Sequence, residues 1–305
     1  MTENQGPAHK KDMTRRRVIM VGGAVVAAAG VGAGVVATAS AGEGKGAASG
    51  AKAGQGEVCY RLTSETTEGP YYIDADKIRK DITEDKEGIP LTLRLKVVDS
   101  DTCKPLRKAA VDIWHCDALG IYSGYESMSQ GGPGGGAPPS GAPTDAPTGT
   151  PTGTPPSGGP GGGGGHSEPT DDERYLRGTQ LTDRHGFVEF TTIFPGWYQG
   201  RAVHIHTKVH VGGTMTDAGY EGGHTCHTGQ FFFAESAVLD SAKEEPYSTS
   251  TTTRTTLTED TIYDRSGVAG GLLKLSYRKG GMARGVTGSI TMGVDPDETH
   301  DGTDL

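Results

Sequence analysis

Two tyrosines and two histidines carry the most specific chemistry in the chain. Tyr122 lies in the run WHCDALGIYSGY, and Tyr198, His204 and His206 lie together in FPGWYQGRAVHIHTKVH. Imidazole suits many transition metals, whereas an ionised phenolate favours a hard, highly charged ion such as ferric iron. A free phenol ionises only near pH ~10. A strongly Lewis-acidic metal is therefore needed to hold it as phenolate near neutrality, and the set points to ferric, oxygen-handling chemistry.

The element that must position the histidines is a strand. Residues i and i+2 of a strand face the same way, and Ala202–His210 is rich in β-branched residues with no helical period that fits better. His204 and His206 then project side by side, with Ile205 behind them in the core. Taken alone, a His-x-His more often marks two polar side chains on the solvent face of a strand than a metal site. Arg201 and the preceding Pro-Gly-Trp-Tyr turn place a cation and a phenol beside the imidazoles and favour the metal. A zinc or copper hydrolase could use the same pair, but it would not need two tyrosines, and no third histidine or carboxylate stands at a suitable spacing. A non-catalytic secreted β-sandwich binding module is a third reading, and it predicts no metal.

The remaining elements read as short strands. LTLRLKVVD (91–99), AAVDIWHC (109–116), FVEFTTI (187–193), VHIHTKVHV (203–211) and QFFFA (230–234) are bounded by turn-forming residues. No long amphipathic helix and no internal repeat stands out. An all-β fold follows, an antiparallel β-sandwich with little helix.

Several motifs, in this order, resemble those of the intradiol ring-cleaving dioxygenases, non-haem iron(III) enzymes that open catechols between the two hydroxyls. They are TEGPYY, VDIWHCDALGIYSGY, RGTQLTDRHGFVEFTTIFPGWY, RAVHIH and TGQFFF, spread over residues 58–132 and 167–280. The chain is most similar to the secreted actinobacterial branch of that family. The resemblance implies that Fe(III) is the cofactor and that Tyr122, Tyr198, His204 and His206 are its ligands, with Tyr198 the one that leaves when substrate binds. It implies catalytic roles for three residues. Tyr198 takes a substrate proton, Arg201 stabilises negative charge developing on the ring, and Gln230 orients the substrate. The partners implied are a catechol and O2, and the products are cis,cis-muconic acids. Only five residues separate Tyr198 from His204. That interval is longer in the catechol and protocatechuate enzymes, where it shapes the substrate pocket, so the preferred catechol does not carry over.

Much of the chain lies outside this core. It has 50 Gly and 17 Pro in 305 residues, and only 33% of it is hydrophobic, so less is folded than the length alone would allow. Residues 1–41 read as a twin-arginine signal peptide: Lys10, Lys11 and Arg15–Arg17 precede an apolar, glycine-rich stretch that ends in Ala39-Ser40-Ala41. The stretch is long enough to span a bilayer, but its mild hydrophobicity suits a cleaved export signal better than a stable membrane anchor. Secretion by that route is the expectation. Residues 42–56 read as a flexible spacer, 57–294 as the catalytic domain, 131–165 as a disordered Gly/Pro-rich loop within it, and 295–305 as an acidic, fraying tail. Removing residues 1–41 takes away five basic and two acidic residues, leaving 24 Lys plus Arg against 36 Asp plus Glu. So acidic a chain excludes nucleic acid as a natural partner.

An exported chain with four cysteines favours disulfides. Cys59–Cys103 and Cys116–Cys226 is the preferred pairing, the second bridge tying the strand before Tyr122 to the segment before Gln230. His115, on a core-like strand, reads as a hydrogen-bonded structural histidine. His185 and His210 rank below the four ligands. So do His224 and His227 (flanking Cys226), Asp117 and Tyr125 (close to Tyr122), and Tyr71 and Tyr72.

Overall fold

Strand β1 (Pro90–Asp99) shows the alternation that builds the core: Leu91, Leu93, Leu95 and Val97 are buried while Pro90 and Arg94 are exposed. The computed structural model describes residues 62–74, 77–129, 167–217 and 219–302. The expected leader 1–41, spacer 42–56 and loop 131–165 lie outside the described residues. Among the described residues no helix is long and apolar enough to cross a membrane.

Two four-stranded sheets face one another. In the first, β1 lies between β4 (Phe187–Ile193) and β10 (Val286–Val294), and β9 (Lys274–Tyr277) forms the far edge. In the second, the order is β3 (Arg177–Leu181), β2 (Ala110–Trp114), β5 (His204–Val211) and β8 (His224–Phe232). A small ribbon, β6 (Thr214–Thr216) and β7 (Gly219–Glu221), two short α-helices, α1 (Glu126–Ser129) and α2 (Glu235–Ser241), and two single-turn 3-10 helices, Tyr247–Thr249 and Met282–Arg284, complete the regular elements among the described residues. Leu93, Leu95, Phe190 and Met292 of the first sheet share one buried cluster with Val111, Ile113, Ile205, Val209 and Phe231 of the second. The expected β-sandwich is observed. One pairing departs from the antiparallel rule: β1 and β10 run parallel, because the chain returns at its end to insert β10 between β1 and β9 rather than closing a hairpin.

The faces of the second sheet divide the labour. Ile113, Ile205 and Phe231 point into the core, so period-two alternation turns Trp114, His206 and Gln230 to the outer face. These three lie in one row, because Trp114 pairs with His206 and His206 with Gln230. The next row holds Asp112, Lys208 and Thr228. Segment 63–73 covers this face and is held by Thr66 N–H on Thr228 O at 3.0 Å and by Gln230 Nε2 on Thr67 O at 3.1 Å.

Two expectations are corrected. Residues 295–302 do not fray but run back along β8. His300 N–H donates to Thr225 O at 2.9 Å, Thr228 Oγ1 donates to His300 O at 2.7 Å, and Glu68 N–H reaches Gly302 O at 3.3 Å. As an edge strand, β8 offers unpaired backbone groups that the tail satisfies. Cys116 and Cys226 are free, buried thiols, so the proposed bridge between them does not form. Strand β5 lies between β2 and β8, which separates their axes by about 10 Å. Cys226 also sits beside Val209 and His210, at the far end of β5 from His204. A disulfide needs Cα atoms within about 7 Å. Cys103 is disulfide-bonded; Cys59 lies outside the described residues.

Candidate metal centre

Two loops and one strand bring the four predicted residues together. The loop after β2 is folded by Asp117, whose Oδ1 accepts the Leu119 and Ile121 amides at 2.9 and 3.0 Å. The loop after β4 carries Tyr198. The two loops meet backbone to backbone: Gly196 N–H donates to Asp117 O at 2.9 Å. A Cβ on Gly196 would lie 2.3 Å from Ala118 O, and one on Gly120 would lie 2.3 Å from Trp197 O. Only glycine permits that approach, and it is this approach that sets Tyr122 against Tyr198, ring centroids 5.8 Å apart. Asp117 therefore builds the loop that presents Tyr122.

The donor atoms converge. Tyr198 Oη lies 3.2 Å from His204 Nε2, and His204 Nε2 lies 3.0 Å from His206 Nε2. His204 Nδ1 is 2.6 Å from the Ala202 carbonyl. A carbonyl only accepts, so Nδ1 carries the proton and the Nε2 lone pair faces the centre. The His206 ring stacks on Trp114, with centroids 4.8 Å apart and planes 10° apart. Tyr71 stacks on Tyr122 at 4.7 Å. Tyr122, His204 and His206 are buried, whereas Tyr198 is partly exposed.

Burial sets the protonation of the four donors. Burial first, then the nearby Tyr198, pushes the Tyr122 phenol well up, and burial does the same to Tyr198. Burial, reinforced by Arg201, holds both imidazoles neutral, well below the usual histidine range. The Tyr122 hydroxyl and His206 Nδ1 are buried with no hydrogen-bond partner among the described residues. The residues fit ferric iron. They provide two neutral imidazoles and two phenols, one hydroxyl orphaned. Their Nε2 separation matches two adjacent ligands about 2.1 Å from a shared metal at a right angle. Among the described residues no group of three or more His, Cys, Asp or Glu could hold a metal. A metal held between the two imidazoles would therefore need the tyrosines to complete its donor set, which is not the set of a zinc hydrolase.

Arg201 and Gln230 join the same site. The Arg201 guanidinium donates to Gln230 Oε1 and, through Nε, to Asp260 Oδ2 at 2.9 Å. The other candidates lie apart from the centre. His115 is fully buried and satisfied, with Nδ1 on Cys116 O at 2.7 Å and Nε2 on Thr192 Oγ1 at 2.8 Å. Tyr125 ties Tyr72 O to Ser167 O. His227 pairs with Glu65, His210 with Thr225, and His224 with Pro296 O. His185 is exposed beside Arg184. Asp260, Glu68 and Lys208 were not among the candidates. Asp260 lies outside any strand, in TLTEDTIYD, with nothing in its spacing to mark it.

Comparison with known proteins gives independent findings. A dioxygenase family profile matches residues 67–133. The chain is similar to the solved intradiol ring-cleavage dioxygenase from Tetranychus urticae, with 30% identity, coverage of 79% of this chain and 98% of that one, and a TM-score of 0.59. A second solved dioxygenase matches with the same figures. The dioxygenase domain of a carbohydrate-binding fusion protein from Streptomyces sp. SirexAA-E is 22% identical over 77% of this chain and 99% of that one, with a TM-score of 0.44. No curated protein matches the chain significantly.

Proposed function

The chain belongs to the intradiol ring-cleavage dioxygenase family, and from that premise we propose that it opens catechol-type aromatics with O2, using ferric iron held by Tyr122, Tyr198, His204 and His206. As a member of that family the chain is an enzyme, acting on a small aromatic substrate and O2, which removes the non-catalytic binding module as a reading. The observation that carries the iron assignment is the convergence of two imidazole Nε2 atoms, 3.0 Å apart on the outer face of one sheet, with two phenols brought in by the loops after β2 and β4.

Bound ferric iron supplies Lewis acidity, which ionises the catechol hydroxyls and draws electron density from the ring. The protein's own residues do the rest. Tyr198 is the one partly exposed member of the set; burial keeps its free phenol protonated, so it would take a catechol proton only as the phenolate that bound iron stabilises. Tyr122, locked between Tyr71 and the Gly120 turn, stays in place. Trp114, Tyr71 and Phe232 give the centre apolar walls that exclude water. Arg201 holds a positive charge beside the pocket, where it stabilises negative charge as it develops on the ring. Gln230, fixed through Thr67 O, keeps that guanidinium and the substrate in register. The atoms of catechol and O2 are all retained in a cis,cis-muconic acid.

Export by the twin-arginine route, proposed from residues 1–41, places this activity outside the cytoplasm and delivers a protein already folded around its metal. With 18O2 and a panel of catechols, the expected product is a ring-opened dicarboxylic acid carrying both oxygen atoms. A product with one labelled oxygen, or a ring opened beside rather than between the hydroxyls, would contradict the reading.

A further inference from the structure

The mechanism above leaves one buried charged group beside the centre without a role. Asp260 has a fully buried side chain, and its two oxygens face opposite ways. Oδ1 accepts the amides of Ile262 and Tyr263 at 2.8 and 3.0 Å. Oδ2 accepts Arg201 Nε at 2.9 Å and the Ala202 amide at 2.7 Å. Burial alone would raise this carboxyl, but the Arg201 charge and the amides outweigh it and hold the group below the ordinary range. The same loop is tied down a second time, because Tyr263 packs on Phe232 with ring centroids 4.9 Å apart.

We propose that Asp260 is the positioning residue for Arg201: it fixes the guanidinium through Nε, leaves the remaining face to Gln230 and the substrate, and anchors the Ala202 peptide that precedes His204. A partly exposed arginine is otherwise free to swing into solvent, and restraining it costs rotamer entropy. A carboxylate already held by two amides supplies that restraint in advance, which electrostatic stabilisation requires. This role rests on the reading of Arg201 given above.

The test is a double-mutant cycle on the iron-loaded enzyme. Asp260→Asn keeps the shape but must turn an NH2 group either toward Arg201 and Ala202 or toward the two amides. It is expected to keep about one iron per chain and a KM within about 3-fold, while kcat falls about 100-fold. In an Arg201→Ala background the same change should cost less than about 10-fold more, because the loss that passes through the arginine is already taken and only the contact with the Ala202 amide remains. Should Asp260→Asn not be recovered folded, Asp260→Glu, which keeps the charge but moves it, carries the same cycle with a kcat loss of about 10-fold. Losses that multiply in the double variant, or an Asp260 variant with wild-type kcat, would overturn the positioning role while leaving the dioxygenase reading intact. A wild-type protein with neither iron nor ring cleavage would remove that reading and this role together.

Discussion

Replacing His204 or His206 with alanine is expected to leave a folded protein that retains no iron and turns over catechols slower by on the order of 10³-fold or more. Both side chains point away from the inter-sheet core, so the strand that carries them keeps its packing through Ile205, Val209 and the ladder to β2 and β8. What each variant loses is one nitrogen donor, and in His206→Ala also the stack on Trp114. Ile205→Val is the matched control. It sits between the two histidines but faces the core, and it should cost about 1 kcal/mol of stability while leaving iron untouched. Metal analysis with thermal unfolding of the three variants distinguishes these outcomes. Full iron content in both histidine variants would remove the ligand assignment.

Glu68→Ala is expected to destabilise the protein by about 3–5 kcal/mol, the usual cost of leaving one member of a buried ion pair alone. Glu68 and Lys208 are paired with side-chain exposures of 4% and 6%, so neither charge has water to turn to. Lys208 Nζ also lies 4.1 Å over the Tyr72 ring. Asp112, directly opposite Lys208 in the ladder, is itself pushed up to about 7 by burial. It can offset part of the loss only by ionising. Replacing both partners, Glu68→Gln with Lys208→Met, should recover most of the stability, because the penalty comes from the orphaned charge rather than from the missing contact. The site should feel the single change too. Glu68 precedes Gly69, where an added Cβ would lie 3.2 Å from His206 Cε1, and Tyr71, which covers Tyr122. Chemical denaturation of the single and double variants checks this. A single variant within about 1 kcal/mol of wild type would show that the pair does not hold segment 63–73 in place.

The ligand strand was legible because its alternation is unbroken. His204 and His206 share a face, Ile205 takes the other, and the local pattern determines both. β10 was not recognised, although it is central to its sheet. Its sequence VTGSITMGV alternates, but Gly288 takes a buried position where an apolar side chain would be read, and its place beside β1 depends on a parallel pairing across most of the chain. Asp260 could not be found from spacing, because it meets Arg201 only through the tertiary fold, 59 residues away. The Cys116–Cys226 pairing failed for a related reason. Nearness of each cysteine to a site motif says nothing about β5 lying between their strands. The docked tail was hidden by composition, since its acidic residues read as solvated while the contacts that hold it are made by backbone groups and Thr228.

The central claim is that two phenolates and two imidazoles hold ferric iron, and the visible absorption of the purified, iron-loaded protein tests it most directly. About one iron per chain should accompany a red-brown colour from phenolate-to-iron charge transfer. That band should fade on reduction or chelation, shift when catechol is added without oxygen, and change in Tyr122→Phe both before and after catechol. A colourless protein, or one that holds iron with no visible band and the same spectrum in both Tyr122→Phe and Tyr198→Phe, would contradict it.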